Sequence, residues 1–256
     1  MRRRRLRAFL GQYGHPLLTL AGMAAAWHAA TAWFAIPGWL LPSPRAVGEV
    51  LYAFGHLLPQ HIWVTLAETV AGFLLSIAVG VPLAVLIVWS PVLQRTIYPI
   101  ILAAQSIPKV AIAPLFLIWI GYGMFSKILV VVSVAFFPIV VDTVTGLMAV
   151  EPDLLDMVRV LRASTLQTFL KIRLPASLPY FFSGTKVAVT LAVIGSVIGE
   201  FVGSDKGLGY LILVSGSQLN TAMVFGVLAI LSAMGIALFV IVEGLQKVLC
   251  PWSVGR

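Results

Sequence analysis

Residues 61–89 read HIWVTLAETVAGFLLSIAVGVPLAVLIVW, a run in which Glu68 is the only carboxylate. A helix needs about 20 consecutive apolar residues to cross a hydrocarbon layer of ~30 Å, so this stretch is long enough to span a bilayer with some tilt. Gly80 and Pro82 lie inside it. Both are tolerated in membrane helices, where neighbouring helices, hydroxyls or water satisfy the backbone groups they free.

Similar blocks lie on either side. They run from Pro16 to Ile36, Ile97 to Ile120, Lys127 to Met148, Tyr180 to Val202 and Thr221 to Leu249. The first follows Arg2, Arg3, Arg4, Arg5 and Arg7 but is longer than the roughly 7–15-residue core of a signal peptide, so it reads as a retained span. The third is interrupted by Pro108 and Pro114 and contains Lys109. The sequence therefore predicts an all-α integral membrane protein with six transmembrane helices. An outer-membrane barrel would show alternation instead of continuous apolar runs.

Composition agrees: 60% of the 256 residues are hydrophobic, only 10% are charged, and mean hydropathy is +1.03. Soluble domains carry about 25% charged residues. The net charge of +8 does not point to nucleic acid, because the basic residues form no stripe interleaved with aromatics. They sit between the apolar blocks. With the N-terminus inside, Arg95, Arg159, Arg162, Lys171, Arg173, Lys247 and Arg256 join the N-terminal arginines on the cytoplasmic side, leaving Arg45, Lys127 and Lys206 outside. This asymmetry places both termini in the cytoplasm. The expected organisation is a basic cytoplasmic N-terminus (1–15) and one transmembrane domain (16–256), with the 37–60 and 203–220 segments external. A lone cysteine, Cys250, excludes a disulfide framework, and His15, His28, His56 and His61 have no metal-ligand spacing.

One long polar segment, 151–178, breaks the pattern. From Pro152 it reads PDLLDMVRVLRASTLQTFLKIRLPASLP. Pro152 suits a first helical position, Asp153 a first turn, and Asp156 can pair with Arg159 at i,i+3. Leu154, Val158 and Leu161 form an apolar stripe at i, i+4 and i+7, the spacing with which an amphipathic helix anchors in a partner's groove. A second helix can run through Arg173, with Pro175 and Pro179 expected to stop it.

This segment resembles the cytoplasmic loop of the permease subunits of binding-protein-dependent ABC importers. There a Glu-Ala-Ala-like triplet and a Gly are followed, nine residues on, by Ile-x-Leu-Pro. Here Asp156-Met157-Val158 stands at the triplet and Arg162 at the Gly, followed by Ala163 and Ser164, with Ile172, Leu174 and Pro175 at the matching spacing. Pro108-Lys109-Val110-Ala111, Gly199-Glu200-Phe201 and Gly207-Leu208-Gly209-Tyr210 are also similar, so the likeness covers nearly the whole chain. It is nearest the nitrate, sulfonate and taurine class, which includes permeases for thiamine-precursor pyrimidines and riboflavin.

The resemblance implies a methionine-importer-like bundle in the bacterial inner membrane. It also implies a homodimer with a second copy of the permease, an extracytoplasmic substrate-binding protein, and separate ABC ATPase subunits. ATP would be bound by those partners, since the chain has no phosphate-cradling Gly-x-x-x-x-Gly-Lys-Ser/Thr loop and calls for no cofactor of its own. The ATPase-coupling residues would be Leu154, Leu155, Asp156, Val158, Arg159, Leu161, Arg162, Ala163 and Ser164. Two ionisable residues are candidates for the translocation path. Lys109 would cost roughly 2.5–3.5 kcal/mol in a span unless it faces protein, water or the interface, and Glu200 stands near the outer end of the fifth span. A Lys109 to Glu200 pair is conceivable; Glu68 and Asp142 raise the same question more weakly. A self-contained secondary transporter or channel is the alternative reading, although no internal repeat supports it.

Overall fold

The computed structural model describes residues 18–19 and 21–253, and every regular element among them is helical. The sequence expectation for the basic N-terminal segment falls outside the described residues, as does the start of the first predicted span. The described part of that span is helical over 21–33, here α1. There follow α2 (Pro44–Ala53), α3 (Leu58–Trp89), α4 (Pro91–Ala104), α5 (Lys109–Ile120), α6 (Met124–Met148), α7 (Pro152–Val160), α8 (Thr165–Thr168), α9 (Leu174–Gly203), α10 (Leu208–Ser217) and α11 (Thr221–Leu249).

Four helices are long and apolar enough to cross a membrane: α3, α6, the continuous helix Thr165–Gly203, and α11. A fifth span arises if α4 and α5, bent by 100° at their junction, count as one. The predicted third span is thus corrected. It begins earlier, at Pro91, and of its two expected interruptions only Pro108 stands at the break, while Pro114 lies inside α5. The chain tightens at the end of α4, with Gln105, Ser106 and Ile107 each bonding the carbonyl three residues back. Such turns run out quickly, and Pro108, which has no N–H, stands extended (φ −67°, ψ 106°) as the cap of α5.

A second correction concerns Pro175 and Pro179, which do not stop the helix. A π-helical turn, Phe169–Arg173, carries α8 into α9, and Arg173 keeps helical angles (φ −64°, ψ −46°). The Leu174 N–H reaches back five residues to Phe169 O, so the turn is already widened where Pro175 enters the continuous helix.

The chain divides into two compact units. In one, comprising the residues up to Pro59 with Leu211–Ile230, Ser43 caps α2, Thr221 Oγ1 donates to Trp39 O at 2.6 Å, and Trp27 packs on Phe225. The other, Gln60–Tyr210 with Leu231 onward, holds the main core. There Val131, Ala135 and Ile139 of α6 meet Ala188 and Ala192 of α9, all fully buried. Lipid tails are as apolar as leucine, so membrane helices associate through close packing and small residues. Gly184 and Gly195 extend the alanine stripe of α9, and a Cβ on Gly195 would lie 2.9 Å from the Cα of Val131. This close contact between α6 and α9 positions the sites below.

Candidate functional site

The polar segment folds as a capped helical elbow. Pro152 opens α7, Asp153 lies in its first turn, and Asp156 Oδ1 accepts from Arg159 at 2.7 Å. Both members of that pair are well exposed, so it contributes little. Val158 is 7% exposed and Leu155 half-buried; both turn toward the protein. Leu154, Met157, Val160 and Leu161 are exposed, at 39%, 54%, 82% and 72%. The outward apolar face is therefore Leu154, Met157 and Leu161, and the predicted stripe is revised at its middle position. Six apolar residues crowd α7 and its cap, enough for two faces, and periodicity does not say which one the chain itself covers.

At the end of α7, Arg162 adopts φ +55°. Its N–H bonds Arg159 O at 2.9 Å and the Ala163 N–H bonds Val158 O at 3.2 Å. These are the two bonds of a Schellman turn, in which glycine normally holds the left-handed position. The tight turn survives the replacement, at a cost of roughly 1–2 kcal/mol for a side chain in that conformation. Ser164 then opens α8 with a reciprocal capping box: its Oγ accepts from the Gln167 N–H, and Gln167 Oε1 accepts from the Ser164 N–H at 2.9 Å. The C-terminal turn of α7 and the N-terminus of α8 are thus both capped, and α8 continues without a break into the 39-residue helix Thr165–Gly203.

The other predicted residues fall into two separate places. Lys109 is half-buried at the start of α5; its Nζ donates to Ala104 O and sits 4.4 Å above the Phe137 ring. Its ammonium thus caps the carbonyl end of α4 across the bend, where the helix dipole favours a cation. Glu200 is 1% exposed and accepts from Thr65 Oγ1 at 2.6 Å and from the Gly209 N–H. The conceived Lys109 to Glu200 pair does not form. Each engages other partners. Asp142 is half-buried on α6, beside Gly184.

The cation of the Glu200 cluster is Lys127, which the sequence reading had left among external charges. Lys127 is 7% exposed, forms an ion pair with Glu68 (1% exposed) and donates to Ser204 Oγ at 3.0 Å. The cluster also holds the turn between α9 and α10. Thr65 Oγ1 accepts from the Leu208 N–H at 2.8 Å, and the Gly207 N–H donates to His61 Nδ1 at 3.0 Å. Gly207 has φ +114°, and a Cβ there would stand 2.2 Å from the Glu200 carboxyl carbon, so only glycine fits. Three ionisable residues in the halves of three spans expected to lie on the same side were the available signal in the sequence.

Among known proteins, the family described as binding-protein-dependent transport system inner membrane component matches residues 72–253. The chain belongs to this family. It is the permease component of an ABC importer, a multi-pass membrane protein without catalytic activity of its own, working in a system that implies ATPase and binding-protein partners. A probable ABC transporter permease of Haemophilus influenzae is 37% identical over 90% of this chain and 94% of its own length. The formylaminopyrimidine transport permease of Halalkalibacterium halodurans is 37% identical over 84% of this chain and 86% of its own. An inward-facing structure of the MetNI methionine ABC transporter superposes with a TM-score of 0.68 at 22% identity, covering 77% of this permease and 98% of that chain. Membership decides between the importer permease and the self-contained transporter or channel, and the structural likeness extends the agreement to the fold.

Proposed function

We propose that this permease works as a homodimer, each copy one transmembrane domain (16–256) of six spans. Both termini and the 151–178 segment face the cytoplasm, and the 37–60 and 203–220 segments lie outside. Leu154, Met157 and Leu161 anchor the ATPase, while Leu155 and Val158 fix α7 to the permease. Asp156, Arg159, Arg162, Ala163 and Ser164 keep the elbow in shape. When the ATPases close, the elbow moves as a unit with the long helix behind it, exchanging inward- and outward-facing packings. Lys109, at the broken span, borders the translocation path, and Glu200 closes its external end. The solute is small and polar, of the nitrate, sulfonate, taurine or vitamin-precursor pyrimidine kind; the 37% identity to a formylaminopyrimidine permease favours the last.

The single observation that supports this reading best is the exposed apolar face of α7, on an elbow whose turn into α8 is capped on both sides. Burying a leucine contributes roughly 1.5–3 kcal/mol, so replacing Leu154 and Leu161 together by Asp is expected to weaken ATPase docking by several kcal/mol. Copurification of the ATPase and binding-protein-stimulated ATP hydrolysis should fall together, with membrane insertion preserved. A double variant that keeps its ATPase and transports normally would remove α7 from the coupling role.

A further inference from the structure

A cavity of about 320 Å³ lies between the Trp89 end of α3, the inner side of α7 and the π-helical turn. Its apolar wall includes Val85, Val88, Trp89 and Phe169, and the Trp89 and Phe169 rings stack at 5.4 Å. Its charges are two arginines, Arg159 and Arg173. Arg159 engages Asp156, but Arg173 is half-buried and makes no ion pair or hydrogen bond among the described residues. No carboxylate lines the cavity.

A guanidinium in that setting has five donors and an incomplete set of partners, and its planar fork matches phosphate oxygens. The wall beside it belongs to a membrane-spanning helix whose Leu86 and Trp89 are 53% and 52% exposed, as lipid-facing residues would be. Charge and apolar surface thus meet where α3 leaves the bilayer. A soluble anion would use the arginines alone; a phospholipid uses both halves, phosphate on the guanidinium and acyl chain along α3. Basic pockets between membrane helices on the cytoplasmic side have this character.

We propose that this cavity binds the phosphate group of an anionic phospholipid from the cytoplasmic leaflet. The lipid would link the inner end of α3 to the coupling elbow, making the elbow's position sensitive to membrane composition. The inference rests on the cytoplasmic placement of the 151–178 segment argued above.

The test uses the permease–ATPase complex in nanodiscs of phosphatidylcholine with or without phosphatidylglycerol, counting retained phosphatidylglycerol by native mass spectrometry. Wild type should retain it. Arg173→Gln should lower retention about tenfold or more, as loss of a charge-assisted contact predicts. Ala163→Leu, which fills the cavity while leaving both arginines, should lower it too, whereas Arg95→Gln, outside the cavity, should not. Inorganic phosphate is not expected to compete; competition at millimolar concentration would make the ligand a soluble anion and overturn the lipid assignment. So would retention unchanged in both Arg173→Gln and Ala163→Leu. Failure of the coupling reading would appear separately, as ATPase lost or retained irrespective of α7, with lipid counts unaffected.

Discussion

The long helix Thr165–Gly203 carries two very different structures at its ends. At one, the elbow of α7 and α8 is held by local turn and cap hydrogen bonds and presents apolar side chains outward. At the other, Glu200 joins Glu68 and Lys127 in a cluster almost wholly enclosed by the chain itself. On the coupling role proposed above, the difference follows from what each end would meet. A surface that docks a partner has to keep its apolar groups uncommitted, so its order comes from local turns and caps. Inside a bilayer the solvent offers no hydrogen bonds, so polar side chains must satisfy one another and the backbone of the adjoining turn. At about 1.5 Å per residue the 39 residues between them reach some 55–60 Å, so displacement of the elbow acts directly on the helix bearing Glu200.

The sharpest way to break this comparison is at Lys127. Lys127→Met leaves Glu68 buried without its cation, and breaking a buried pair in this way costs about 3–5 kcal/mol. Folded permease recovered from detergent should fall severely, and adding Glu68→Gln should restore much of it. If Lys127→Met alone were as stable as wild type, the cluster would be a bystander to the fold. Failure of the second change to rescue would mean that Lys127 acts mainly through Ser204.

A smaller effect separates the two faces of α7. Met157→Asp should leave thermal stability near that of wild type and weaken ATPase binding, since burial of such a side chain in the partner is worth roughly 1.5–3 kcal/mol. Val158→Asp should reverse the pattern, lowering the melting temperature of the isolated permease because the charge enters its own packing. Equal behaviour of the two, in melting and in copurification, would erase the distinction between an inner and an outer face.

Much of the architecture was legible in the residues. The sixth span, Thr221–Leu249, has the bounds its hydropathy implies, and α7 starts at the proline expected to start it. What was not legible depends on neighbours. Pro82, Pro99, Pro114, Pro138 and Pro179 all sit inside helices, whereas Pro108 stands at a 100° bend. A proline frees a backbone group wherever it stands, and only the surrounding packing determines whether that group finds another partner. Lys127 was misjudged for a related reason. Counted along the chain it stands near a span end, where a cation ordinarily reaches water, but α3 and α9 enclose it and supply a carboxylate and a hydroxyl. Val158 and Leu154 differ by one helical turn in sequence and by which side the protein covers.

The smallest expected effect is at Arg162, where the elbow accepts strain at a position its relatives' pattern gives to glycine. Arg162→Gly removes the left-handed penalty but adds freedom to the unfolded chain, leaving a net gain of about 0.5–1 kcal/mol. Hydrogen exchange should register this locally, as a roughly 2–5-fold increase in protection of the amides of Arg162's replacement and Ala163, which close the Schellman turn on Arg159 and Val158. Arg162→Ala is the informative companion, because it removes the same charge and keeps a Cβ. If the cost lies in the backbone, alanine gives no gain. If alanine protects the turn as well as glycine does, the penalty comes from the guanidinium, and the arginine side chain itself would be what sets the elbow's rigidity.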